Sequence, residues 1–162
     1  VTVNKIVWRV IVPLVRGVCL VISPLLLRYI RRINRKHIPL ANSCQEVVPF
    51  LSVYFSNELL AKTKVIYVKE VPKLLPSGLL FGKAAGIALE DTVYVKEEYR
   101  YRWHLHFHEL VHTQQWQRLG SIEFLSQYIV EALTRGYRCN NFEVEAFELE
   151  ERFKRNDVFR IC

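Results

Sequence analysis

Residues 103–120 read W-H-L-H-F-H-E-L-V-H-T-Q-Q-W-Q-R-L-G, from Trp103 to Gly120. The stretch holds no proline and closes on glycine, a common helix stop. Its length makes about five turns of helix. On that helix His108 and His112 stack on one face, so two imidazole nitrogens can meet one ion. Glu109 sits one step round the helix from His108. There a carboxylate reaches water beside the ion without being a ligand itself. With this chain's composition, His-Glu-x-x-His is expected by chance only about 0.01 times. The pattern therefore points to a divalent metal, zinc, that activates water, with Glu109 as general base. His104 extends the same row, but two turns span about 11 Å, too far for one ion. It is expected beside the site in a structural role, and His106 is expected to face solvent.

A catalytic zinc takes three protein ligands plus water. The third is sought in N-N-F-E-V-E-A, residues 140–146. A helix is expected from about Asn141, with Phe142, Ala146, Leu149 and Phe153 on one face. Glu143 and Glu145 flank that face, and periodicity alone does not separate them. Between the two helices lies another, with Ser121 as N-cap, Ile122, Leu125, Ile129 and Leu133 on one face, and Gly136 closing it. Upstream, K-V-I-Y-V-K at 64–69 alternates and is β-branched, so it reads as a strand. Gly86 to Lys96 reads as two short strands around Glu90–Asp91. Residues 46–61 suggest a helix broken at Pro49, and Pro72 to Gly82 a loop. Strands followed by helices predict an α+β domain.

The net charge of +7 is unevenly spread. Residues 1–40 carry eight basic and no acidic side chains; the rest carry 15 basic and 16 acidic. A basic segment rich in Val, Ile and Leu fits a membrane better than nucleic acid. We expect no nucleic-acid partner, because there is also no basic–aromatic repeat. Residues 6–30 are almost wholly apolar apart from Arg9, Arg16 and Arg28. Crossing the bilayer, lying in its interface and serving as a core helix all remain open. Arg16 opposes crossing, at about 2.5–3.5 kcal/mol for a central arginine. The following R-Y-I-R-R-I-N-R-K lacks a small-residue cleavage site, so the segment is expected to be retained. The chain thus divides into a membrane-associated segment, 1–36, and a metal-site domain, 37–162. If the segment crosses, the basic cluster after it puts the domain on the cytoplasmic side. Cys19, Cys44, Cys139 and Cys162 form no close pair and are expected to be free, mostly buried thiols.

His108-Glu109-x-x-His112 followed by Glu143-x-x-Ala146 resembles a gluzincin, a zinc peptidase whose third ligand is a glutamate on a later helix. G-I-A-L-E-D-T-V-Y-V with H-F-H-E-L-V-H-T-Q-Q, including Gln115, is similar to the metallopeptidase domain associated with extracellular contractile injection systems. The resemblance covers roughly residues 64–150. It implies a minimal zincin-like fold, in which a short hairpin or small sheet packs on the His-Glu-x-x-His helix and two further helices. It also implies Glu143 as third ligand, a peptide or protein substrate, and strand Thr92–Lys96 as the edge that pairs with it. Tyr137 and Arg138 are the candidates for oxyanion stabilisation. Phe147 stands where such families carry an aspartate that orients a histidine. Asn140, Asn141 and Glu150 are the residues that can replace it. That departure motivates the alternative of a zinc-binding interaction or regulatory module without turnover.

Overall fold

The structure, a computed structural model, describes residues 2–74 and 84–161, with side chains from residue 12 onward. The chain runs α1 (Thr2–His37), β1 (Asn42–Ser43), α2 (Cys44–Val47), α3 (Asn57–Lys62), β2 (Lys64–Val68), β3 (Gly86–Leu89), β4 (Thr92–Lys96), α4 (Trp103–Leu119), α5 (Ser121–Arg135) and α6 (Asn141–Lys154). This is the α+β architecture expected, with a small sheet packed on helices and a long apolar helix leading. Short 3₁₀ turns cover Ile38–Leu40, Pro49–Val53, Glu97–Tyr99 and Tyr137–Cys139. Most of the loop expected at Pro72–Gly82 lies outside the described residues.

The sheet order is β1-β2-β4-β3. β3 and β4 form the expected hairpin, with Leu89 opposite Thr92 and Ile87 opposite Tyr94. β2 lies parallel to β4, Lys64 against Thr92 through Val68 against Lys96. The expectation that Thr92–Lys96 is the edge strand is therefore wrong. β4 is interior, because β2 takes the flank opposite β3, and the edges are β1 and β3.

Two apolar clusters meet at α4. Ile30, Ile66, Leu89, Tyr94, Trp116 and Phe124 build one beneath α1 and α5. Leu51, Phe55, Leu59, Phe107, Leu110 and Ala146 build the other beneath α6. Each fully buried large apolar side chain of this kind contributes about 1.5–3 kcal/mol. Packed on both sides, α4 is buried from His106 to Thr113 and again at Gln115 and Trp116. This corrects the expectation for His106. It is buried, its Nδ1 3.1 Å from the Arg102 carbonyl and its Nε2 3.1 Å from the Tyr67 hydroxyl.

Two corrections concern α5. Its N-cap is Gly120, at φ +79°, and Ser121 instead donates to Glu90 Oε1 at 2.6 Å. Its inward face is Phe124, Leu125 and Tyr128, whereas Ile122 and Leu133 are exposed. The aromatic rings reach the core between α1, α4 and α6, which rotates the helix away from the aliphatic stripe. Residues 44–62 form not one broken helix but α2, a 3₁₀ turn starting at Pro49, and α3 capped by Ser56, whose hydroxyl accepts from Leu59 N–H.

α1 is one helix through Pro13 and Pro24. It is long and apolar enough to cross a membrane, by length and composition. Its C-terminal half is also part of the core: Leu27, Ile30 and Asn34 are buried. Asn34 donates to the Leu89 carbonyl at 2.9 Å and accepts from Tyr94 at 3.0 Å. The helix ends at His37. Cys19 and Cys44 are buried free thiols and Cys139 is exposed; Cys162 lies outside the described residues.

Candidate metal centre

α4 carries His108 and His112 on its face toward α6, and α6 starts so that Glu143 falls in its first turn. Asn140 sets that start. Its side chain accepts from the Phe142 N–H at 3.0 Å and donates to the Tyr128 carbonyl at 3.2 Å, which fixes the α6 N-terminus to α5. The helix N-terminus also favours a carboxylate in the first turn. His108, His112 and Glu143 are thereby brought together, all buried, as a group that could hold a metal ion.

The donor atoms are spaced for one. His108 Nε2 and His112 Nε2 are 3.2 Å apart. Glu143 Oε2 is 3.4 Å from His108 Nε2, and Oε1 is 3.3 Å from His112 Nε2. Bonds of about 2.0–2.1 Å at tetrahedral angles place ligand atoms about 3.3 Å apart. Glu143 Oε2 is buried with no hydrogen-bond partner among the described residues, an arrangement that a cation beside it would relieve.

The outer ring nitrogens fix the tautomers. His108 Nδ1 lies 3.0 Å from Glu150 Oε2, an acceptor, so it carries the proton. His112 Nδ1 lies 2.8 Å from Gln115 Oε1. The orientation of that amide is settled by its nitrogen, which donates to the Phe142 carbonyl and to Glu145 Oε2, both at 3.0 Å. Both Nε2 lone pairs thus converge with the Glu143 carboxylate among buried side chains. Such a set of donors fits a divalent cation and repels itself without one, save by taking up protons. His108 shows that response. Burial alone would lower its pKa, but the adjacent Glu143 and Glu150 carboxylates outweigh this and hold it up at about 10. His112 is raised too, the Glu143 carboxylate overcoming burial. For Glu143, burial acts upward, yet the two histidines and Tyr128 hold the carboxyl well below the usual range.

Glu109 lines a cavity with His112, Glu143, Tyr128, Tyr137 and the β3 residues Gly86 to Leu89. Burial pushes its carboxyl up to about 7, against the pull of His108 and His112. Tyr137 lines the same cavity; burial and the Glu143 carboxylate push its hydroxyl up. Arg138 is exposed and absent from the lining. Glu145 leaves the parity with Glu143 for a reason visible in its partners. Arg118 holds both its oxygens, at 3.0 and 2.9 Å, at the margin of the site.

Of Asn140, Asn141 and Glu150, it is Glu150 that meets a histidine of the site. One oxygen accepts from His108; the other lies 3.0 Å from His104 Nδ1 and 2.6 Å from Lys154 Nζ. Burial would raise Glu150, but His108 and Lys154 hold it at about 2. Phe147 packs on the His108 ring instead, centroids 4.7 Å apart. His104 accordingly sits beside the centre, on the carboxylate that orients His108.

Sequence reading missed two participants. Tyr128 donates to Glu143 Oε1 at 2.6 Å; from sequence it is one more aromatic on an apolar helix. At Gly86, a Cβ would lie 2.8 Å from Glu109 Oε1 and 3.0 Å from its Cγ. The only sequence signal was a glycine opening a strand. Comparison with protein-family models, with curated proteins and with solved structures gives no match.

Proposed function

We propose that this chain is a zinc-dependent hydrolase of the gluzincin type, a peptidase that acts on a peptide or protein substrate with Glu109 as general base. The observation that carries the reading is the convergence of both Nε2 atoms and the Glu143 carboxylate at 3.2–3.4 Å, with Glu143 Oε2 lacking a hydrogen-bond partner among the described residues. His108, His112 and Glu143 would hold the ion, with Glu150 and Gln115 fixing the two rings. Zinc bound there supplies Lewis acidity, lowering the pKa of water toward 7. Glu109, raised to about 7, is suited to take a proton from water and return it to a leaving amine. Tyr137 is the donor on the cavity wall for the developing oxyanion.

One observation favours a second reading, a zinc-binding interaction or regulatory module without turnover. β3, the edge strand beside the site, is buried along its length, so a peptide that pairs with it must displace what covers it. The two readings part on one experiment. Purified full-length chain is assayed for zinc by elemental analysis and for cleavage of a broad peptide library by mass spectrometry, beside Glu109→Gln. The peptidase reading expects zinc in both proteins and cleavage reduced by about 10²–10⁴-fold in the variant. Equal inertness of two zinc-loaded proteins selects the module; protein without zinc removes both.

A further inference from the structure

The outward face of α1 has no partner among the described residues, and its chemistry changes once along its length. The buried seam is Cys19, Ser23, Leu27, Ile30 and Asn34, at helical spacing. On the opposite side Leu14, Val18, Val21 and Leu25 follow each other at steps of four, three and four, and Leu14, Val21 and Leu25 are 66–75% exposed. The same stripe continues as Arg28, Arg32 and Lys36, all exposed and without an ion pair among the described residues. These three line a shallow basic groove with Tyr29 and Arg35. The arginines nearer the protein body are engaged there: Arg16 with Glu123 at 2.6 Å, Arg31 with Glu90 at 2.8 Å.

We propose that this stripe is a docking surface for an anionic lipid bilayer, its apolar end dipping among acyl chains and its basic end lying on the headgroups. Charge complementarity selects the occupant: no acidic residue precedes Glu46, and the basic stretch adjoins apolar side chains that nucleic acid would leave in water. Length selects the mode. Leu14 to Leu25 rises about 17 Å, roughly one leaflet of a hydrocarbon core about 30 Å thick. The other side of the helix is occupied by the protein, so a face meets lipid, not a whole circumference. None of this depends on the metal centre.

The test is sedimentation of the full chain with vesicles of phosphatidylcholine alone and of phosphatidylcholine with phosphatidylserine. The proposal expects strong preference for the mixed vesicles, weakening as salt is raised. Arg28→Gln, Arg32→Gln and Lys36→Gln combined should lower partitioning about a hundredfold, each charge being worth about fivefold. Val21→Asp with Leu25→Asp should weaken it on both vesicle types. All five side chains are exposed, and unchanged thermal unfolding confirms that the variants fold. Equal binding to neutral vesicles, salt-insensitive binding by the wild type, or full binding by the triple variant overturns the proposal. So does a chain that ignores vesicles and binds duplex DNA.

Discussion

Gly86 shows how much of the site rests on an atom that is missing. Its φ is not in the left-handed region, so no backbone freedom is needed there. What is needed is space, since an added Cβ falls 2.8 Å from Glu109 Oε1 and 3.1 Å from Cδ. Gly86→Ala should therefore leave zinc content and fold largely intact while pushing the Glu109 carboxylate aside. A displacement near 1 Å costs about a hundredfold in rate. Steady-state hydrolysis set beside elemental analysis checks this, and loss of zinc together with activity would refute it. Glu150 acts on the other side of the centre. Glu150→Ala leaves the His108 Nδ1–H without its acceptor, and zinc affinity should fall about 10–100-fold. Glu150→Gln keeps an acceptor and should lose less; a chelator competition titration ranks the three proteins. At this scale the sequence was legible where chemistry has a fixed spacing, as in His108, Glu109 and His112. It was not legible where the role comes from tertiary approach, as with Gly86 and Tyr128.

Elements carry the same lesson in a different form. The strands at 64–68, 86–89 and 92–96 and the helices from 103 and 141 follow local pattern closely. Their mutual placement does not. Nothing local told that β2 would flank β4 and leave β3 at an edge, because strand order is decided by non-local pairing. α4 lacks a clear amphipathic stripe because it is buried all round, and its polar residues are tolerated only through their partners. α6 is where an element defines the site, since its starting point sets the height of Glu143. Asn140→Ala removes both the cap on Phe142 N–H and the donor to the Tyr128 carbonyl. The lost cap costs about 1–2 kcal/mol, and the stranded buried carbonyl about 1–3 more. Asn140→Asp keeps the cap and loses only the donor, so denaturant unfolding should place it between wild type and Asn140→Ala. Zinc affinity should follow the same order, since Glu143 begins three residues after the cap. Equal stability of all three proteins would show that α6 is positioned by Phe142 and Ala146 packing alone.

For the whole molecule, the metal centre links stability to pH in the metal-free chain, and zinc cancels the link at His108. In the metal-free chain His108 is held at about 10 against an ordinary 6.5. A group raised on folding stabilises below its unfolded value, and that contribution disappears as pH climbs through the folded one. Glu109 adds the same sign lower down: held near 7 against 4.5, it disfavours the folded state progressively as it ionises across that interval. The metal-free protein should therefore lose melting temperature from about pH 6.5 toward pH 10. Zinc requires both Nε2 atoms free of protons, so its binding expels the proton that His108 holds. Its affinity should rise about tenfold per pH unit for each proton displaced, and the stabilisation it confers grows with it. Thermal unfolding in chelator and in buffered zinc, run from pH 6 to pH 9, should then give two curves that separate as pH increases. His108→Ala should remove most of the slope of the metal-free curve. Parallel curves would mean that no proton leaves on binding, which is incompatible with a metal seated on these imidazoles.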